Sequence, residues 1–245
     1  MRRSLALSMA ALSVTVATLA APSASAGTKA QAYRITITNL TMGQPITPPV
    51  VALTRKNLDV FTVGKAATFE LQQIAENGDN APLVRFLDGR RGVSDFAEGT
   101  APLVPAGSPG DAMFDQSVTF ELDRDNAAAR YLSFAAMLIC TNDGFSGVDQ
   151  LPLPQRAGVT KTVHTLGYDA GTEANTEDFG DIVPPCQSLI GVTGSLPGTA
   201  TSDPALATNG VIHHHPGITG RRDLQVDSHG WDTEAPVMEV TIESL

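Results

Sequence analysis

Polar and apolar residues alternate over residues 31–40, where Tyr33, Ile35 and Ile37 stand against Arg34, Thr36 and Thr38. A period of two predicts a half-buried antiparallel strand. Alternation returns over 117–122 (Val118, Phe120, Leu122) and 160–168 (Val163, Leu166). Residues 235–242 close the chain with Val237, Val240 and Ile242 as core contributors. Residues 131–139 are continuously apolar and predict a central strand, and 50–53 a short buried one. The polar run Asp123-Arg124-Asp125-Asn126 is short, so 117–122 and 131–139 are expected to form a hairpin. Residues 66–76 break the pattern. Phe69, Leu71, Ile74 and Ala75 have helical spacing, and Asn77-Gly78 supplies a stop, which leaves Glu70 and Glu76 on the wet face. Pro82 opens a second short helix over 82–87. Prolines exclude 44–49 from a central strand, and 98–110, 174–181 and 191–210 read as loop. Several short strands with polar turns and one or two short helical insertions predict an all-β antiparallel sandwich.

The first residues change the picture of where this sandwich resides. Arg2 and Arg3 precede an apolar run over 5–20, and Ala24-Ser25-Ala26 fits a cleavage site. The expectation is a signal peptide over 1–26, then a single domain over 27–245, secreted or held in the cell envelope. No later stretch resembles a membrane span. The formal charge is −10, from 16 basic and 26 acidic residues. Such a chain is a poor partner for nucleic acid or anionic lipid and a better one for cations. Cys140 and Cys186 are the only cysteines. An even count in an oxidising compartment favours one disulfide between them.

Candidate chemistry gathers in two segments. The apolar run that ends in Cys140 opens into a loop with Asp143, Gly144, Gly147 and Asp149, and a second strand-like run ends in Tyr168-Asp169-Ala170-Gly171-Thr172-Glu173. Two acidic, glycine-containing loops at one end of a sheet suit a hard cation such as calcium, which takes roughly 6–8 oxygen ligands. Asp and Gly are equally the residues of plain solvated turns. Asp123 raises a difficulty: in a 117–122/131–139 hairpin it lies at the end opposite Asp143. A different chemistry is suggested by His213-His214-His215. On an extended strand His213 and His215 share a face, and with His164 or His229 they would suit zinc or copper in a metal-dependent hydrolase. The alternative is an edge segment with ordinary histidines. Ser146, in Gly144-Phe145-Ser146-Gly147, lacks the spacing of a nucleophile elbow, and no H-E-x-x-H occurs. Trp231, the only tryptophan, reads as a corner plug.

The segments SFAAMLICTNDGFSGVDQL, GYDAGTE, GVIHHHPGI with the later Trp231, and VMEVTIES resemble the spondin-domain family. So do QPITPPVVALT and ELQQIAENGD, and the likeness spans nearly all of the chain after residue 32. It implies a C2-like antiparallel β-sandwich, non-enzymatic, that binds Ca2+ through acidic loops. The implied partner is an extracellular or cell-surface protein or glycan, in adhesion or surface recognition. The family's ligand positions carry over onto Asp123, with Glu121 as its alternate, and onto Asp143 and Asp169. Two departures stand out. Gly144 occupies a position where the family often has tryptophan, and the Cys140–Cys186 pair rests on compartment and count rather than on the resemblance.

Overall fold

A computed structural model describes residues 31–245, so the expected signal peptide over 1–26 lies outside the described residues. Ten strands build the fold: β1 (Gln31–Asn39), β2 (Val50–Arg55), β3 (Val93–Glu98), β4 (Ser117–Arg124), β5 (Ala129–Met137), β6 (Gly144–Pro152), β7 (Thr160–Thr165), β8 (Gly167–Asp169), β9 (His213–His214) and β10 (Met238–Ser244). They form a four-stranded sheet in the order β4-β1-β10-β7 and a six-stranded sheet in the order β3-β2-β5-β6-β8-β9. Every pairing between these strands is antiparallel. The all-β sandwich with short helical insertions is therefore what the chain adopts.

The alternating strands bury one face each. Tyr33, Ile35 and Ile37 of β1, Phe120 and Leu122 of β4, and Val240 and Ile242 of β10 pack against Val51 and Leu53 of β2 and Leu132, Phe134 and Ala136 of β5. The six-stranded sheet is covered on its other face as well. There Ala52, Ala135 and Met137 meet α1 (Phe69–Asn77), α2 (Ala81–Leu87) and α3 (Pro185–Ile190) through Leu71, Ile74, Leu83, Leu87, Cys186 and Leu189. Burial on both faces is why β5 is apolar without alternation. Thr68 caps α1 by accepting the Leu71 N–H, and Gly78 closes it in the left-handed region at φ 64°.

Three features differ from the sequence expectation. The strands β4 and β5 are not a hairpin, because β4 lies at the edge of the small sheet and β5 at the centre of the large one. The polar turn between them is a crossing from sheet to sheet. Residues 144–152, expected to be loop, form β6, which pairs with β5 and β8. Gly147 is required there: a Cβ would sit 2.2 Å from the Phe134 carbonyl oxygen. On α1, finally, Phe69 is 62 % exposed while Glu76 is only 5 % exposed, the reverse of the expected faces.

Candidate metal centre

The turn between β5 and β6 sets Asp143 in place. Thr141 Oγ1 donates to the Leu138 carbonyl at 2.7 Å and accepts the Gly144 N–H at 2.9 Å, which folds the chain tightly. A Cβ on Gly144 would lie 2.4 Å from that hydroxyl, so the turn admits only glycine at this point. The side chain of Gln44 holds the loop from behind, accepting the Cys140 N–H at 3.1 Å and donating to the Cys140 carbonyl at 3.3 Å. Cys140 is also joined to Cys186 of α3 by a disulfide, with a Cα–Cα distance of 5.1 Å. The expected bridge is thus present.

Strand β8 runs beside β6 with Asp169 opposite Gly144, and the Ala170 N–H donates to the Asp143 carbonyl at 3.1 Å. Asp143 and Asp169 are consequently neighbours, both buried. Asp143 Oδ2 accepts the N–H groups of Thr172 at 2.7 Å and Glu173 at 3.0 Å and the Thr172 hydroxyl at 3.1 Å. Its other oxygen, Oδ1, is buried and has no hydrogen-bond partner. Asp169 accepts the Gly171 N–H at 2.8 Å through Oδ1 and the Asn175 amide at 2.7 Å through Oδ2. Gly171 makes this turn in the left-handed region, at φ 71°. Asn142 lashes the following segment down, accepting the Thr176 N–H at 3.0 Å.

Electrostatics follow from this geometry. Burial pushes the Asp143 carboxyl up to about 6, and the negative Asp169 beside it pushes the same way, against the three donors on Oδ2. Burial likewise raises Glu173 to about 7, opposed by the Asp203 N–H and reinforced by Glu76, Asp143 and Asp203. Two buried carboxylates side by side with an unpaired oxygen form an arrangement that a cation would relieve. The donor set is all oxygen, which is the chemistry of a hard ion such as calcium.

The remaining expected residues are elsewhere. Asp123 is exposed at the far end of β4, where its N–H donates to Asp95 at 2.8 Å. The whole of β5, nine residues and about 30 Å of extended strand, separates that end from the β5–β6 turn. Asp123 therefore does not join Asp143 and Asp169. The cause is the topology, since β4 hands over to the start of β5 and not to its end. Glu121, the alternate, pairs with Arg34 at 3.0 Å on the exposed face of the small sheet. Asp149 is a structural clasp, accepting the Val60 N–H and the Ser133 hydroxyl, each at 2.9 Å.

The histidine triplet is not gathered into a ligand set, although the β8–β9 register, with His213 opposite Asp169 and the His215 N–H donating to the Gly167 carbonyl, keeps His213 and His215 on one face. His213 is exposed, with Nδ1 3.7 Å from Asp169 Oδ1, while His215 is 1 % exposed and stacks on Trp231 at 5.1 Å. His215 Nδ1 accepts the Gly217 N–H at 2.9 Å, and burial lowers its pKa to about 4, so the ring stays neutral. Among the described residues, the only three His, Cys, Asp or Glu groups with ligand atoms within 4.8 Å of one another are Cys140, Cys186 and His229, and the two cysteines are spent on their disulfide.

Sequence reasoning missed Asn175, Thr172 and Glu173 as partners of the aspartates, and Asn142 as the tie to Thr176. A usable signal was present: each lies within six residues of Asp143 or Asp169 on a glycine-bearing turn. Among the described residues, no helix is long and apolar enough to cross a membrane. No protein-family model matches the chain, and no curated protein matches it.

Proposed function

We propose that this protein is an exported, non-enzymatic calcium-binding module of the spondin-like, C2-like type, acting in adhesion or surface recognition. The observation that carries the calcium reading is Asp143 Oδ1, a buried carboxylate oxygen without a partner beside a second buried carboxylate, Asp169. Burying such a charge uncompensated is costly, and a divalent ion is the economical way to offset two of them at once. Asp143 and Asp169 would supply the carboxylate ligands, and backbone carbonyls and water would complete the shell. Asp123 is left out of this ligand set.

The bound ion would neutralise the Asp143 and Asp169 carboxylates. It would fix the turn after β5 to the segment after β8, which makes a rigid tip for a protein or glycan partner. The adhesion part of the reading rests on the resemblance of the sequence segments named above and on the acidic charge. The calcium reading is tested by calcium titration followed by thermal unfolding. The expected result is a melting temperature that climbs with calcium, equivalent to about 2.7 kcal/mol at a hundredfold excess over Kd. Asp143→Asn and Asp169→Asn should each abolish the climb. A wild-type melting temperature indifferent to calcium overturns the reading.

A further inference from the structure

Beside the two aspartates, on the other side of Glu173, lies a separate acidic cleft. It has a volume of about 240 Å³ between α1 and the segments around residues 173 and 203, and its walls include Gln72, Glu76, Thr172, Glu173, Ser202 and Asp203. No residue lining it is basic. The frame is firmly built. The Asn77 amide donates to Ser202 Oγ at 2.9 Å, the Ala174 N–H to the Leu206 carbonyl at 2.9 Å, and the Thr208 N–H to the Thr172 carbonyl at 2.8 Å.

Two of the acids are held in the wall. Glu173, 7 % exposed, accepts the Asp203 N–H at 3.0 Å. Glu76 is 5 % exposed, and Gln72 satisfies its Oε1 at 2.8 Å. Glu76 Oε2 is buried with no partner. A last-turn glutamate that faces inward without a counter-ion has no role in packing α1, whose contacts are made by Leu71, Ile74 and Ala75. An unpartnered carboxylate oxygen on a cleft wall calls for a donor from outside.

Among the described residues Glu76, Glu173 and Asp203 do not bring three ligand oxygens within 4.8 Å of one another, so the acceptors of this cleft do not converge on one point. Acceptors spread over opposing walls match a wider cation. A guanidinium is planar, stays charged, and offers five N–H groups in a fork that reaches two carboxylates at once. From the cavity, its charge and the orphaned Glu76 oxygen, we infer that this cleft receives the arginine side chain of a protein partner, clamped between Glu76 and Glu173. Arginine is a common anchor in recognition surfaces, and a desolvated pair with two carboxylates gives both affinity and direction. The inference does not depend on calcium at Asp143 and survives if that reading fails.

The test uses the full chain in calcium-free buffer with agmatine as the guanidinium probe and 1,4-diaminobutane, equally a dication, as the control, followed by amide shifts in NMR. Saturable shifts around residues 72–77 and 172–203, with agmatine bound at least about tenfold more tightly than 1,4-diaminobutane, support the inference. Glu76→Gln and Glu173→Gln, both near-isosteric, should each weaken agmatine by about tenfold or more. Repeating the titration in Asp143→Asn separates the two sites, since agmatine binding should persist there. Absence of saturable shifts, equal affinity for the two probes, indifference to both Gln variants, or displacement of agmatine by calcium in Asp143→Asn overturns the inference.

Discussion

Asp143 is a carboxylate that the fold treats unequally. Oδ2 has three donors and Oδ1 has none. Replacement should therefore separate charge from shape. Asp143→Asn keeps an acceptor for the Thr172 and Glu173 N–H groups and deletes the buried charge. Without calcium it should be as stable as the wild type at neutral pH, or more stable by up to about 3 kcal/mol, the value of a two-unit carboxyl shift. Asp143→Ala leaves buried donors unpaired and should cost about 1–3 kcal/mol. Urea unfolding of both variants checks the pair, and a Asn variant weaker than the Ala variant would contradict the account. Gly147 gives a second contrast at this scale. With the Phe134 carbonyl 2.2 Å from the site of a Cβ, Gly147→Ala forces β6 away from β5, for an expected loss of about 1–3 kcal/mol.

Among the elements, α3 has the most direct mechanical hold on the loop that carries Asp143, since its Cys186 is bonded to Cys140 just before that residue. The bridge spans 46 residues, and closing a loop of that size is worth about 4 kcal/mol by chain entropy. A Cys140→Ser, Cys186→Ser double variant should lose stability on that scale in guanidinium unfolding, and its calcium affinity should fall because the Asp143 turn is no longer anchored. Which elements were legible beforehand follows from how each is buried. The strands β1 and β4 and the core residues of β10 could be read because one face of the small sheet is wet, so polar and apolar residues alternate. The apolar run of β5 marked a central strand for the opposite reason. By contrast β6 was hidden: Gly144 and Gly147 serve close backbone approaches, and a register shift interrupts its pairing with β5, so its sequence resembles a turn. Partial burial along β3, over Val93–Ala97, leaves no period to detect. Asp143 and Asp169 were legible as a pair because each follows an apolar run into a glycine turn. Asp123 was misplaced, and Glu76 misread as solvated, because sheet assignment and helix orientation are tertiary facts.

At the scale of the molecule, one end of the large sheet is tied together by carboxylates. The turn after β5, the segment after β8 and the loop over 217–224 are bound to one another through carboxylates, and Glu177 is the third of these. Its Oε1 accepts the Thr219 N–H at 2.6 Å and hydroxyl at 2.7 Å, and its Oε2 the Arg221 N–H at 2.8 Å. Burial alone would raise the Glu177 carboxyl, but these donors outweigh it and the net shift is downward. Its contribution is therefore complete above its ordinary value of 4.5 and is lost as pH falls through its folded value. Asp143 and Glu173 run the other way. Their folded values, about 6 and about 7, lie above the ordinary 3.8 and 4.5, so the folded chain binds the proton more tightly than the unfolded one. Their stabilising effect is full below the ordinary values and disappears as pH rises to about 7. The charged groups facing them, Asp169, Glu76 and Asp203, are all acidic and deepen the loss. The calcium-free protein should accordingly lose stability between about pH 4 and pH 7, in a range where most proteins hold or gain it. Saturating calcium should flatten or reverse that slope, because the ion takes the place of the proton at Asp143, and its apparent affinity should rise with pH up to about 7. Thermal unfolding across this range, with chelator and with calcium, reads both effects, and Asp143→Asn should remove the difference between the two curves. Identical slopes with and without calcium would mean that the buried pair is neutralised by something other than a bound cation.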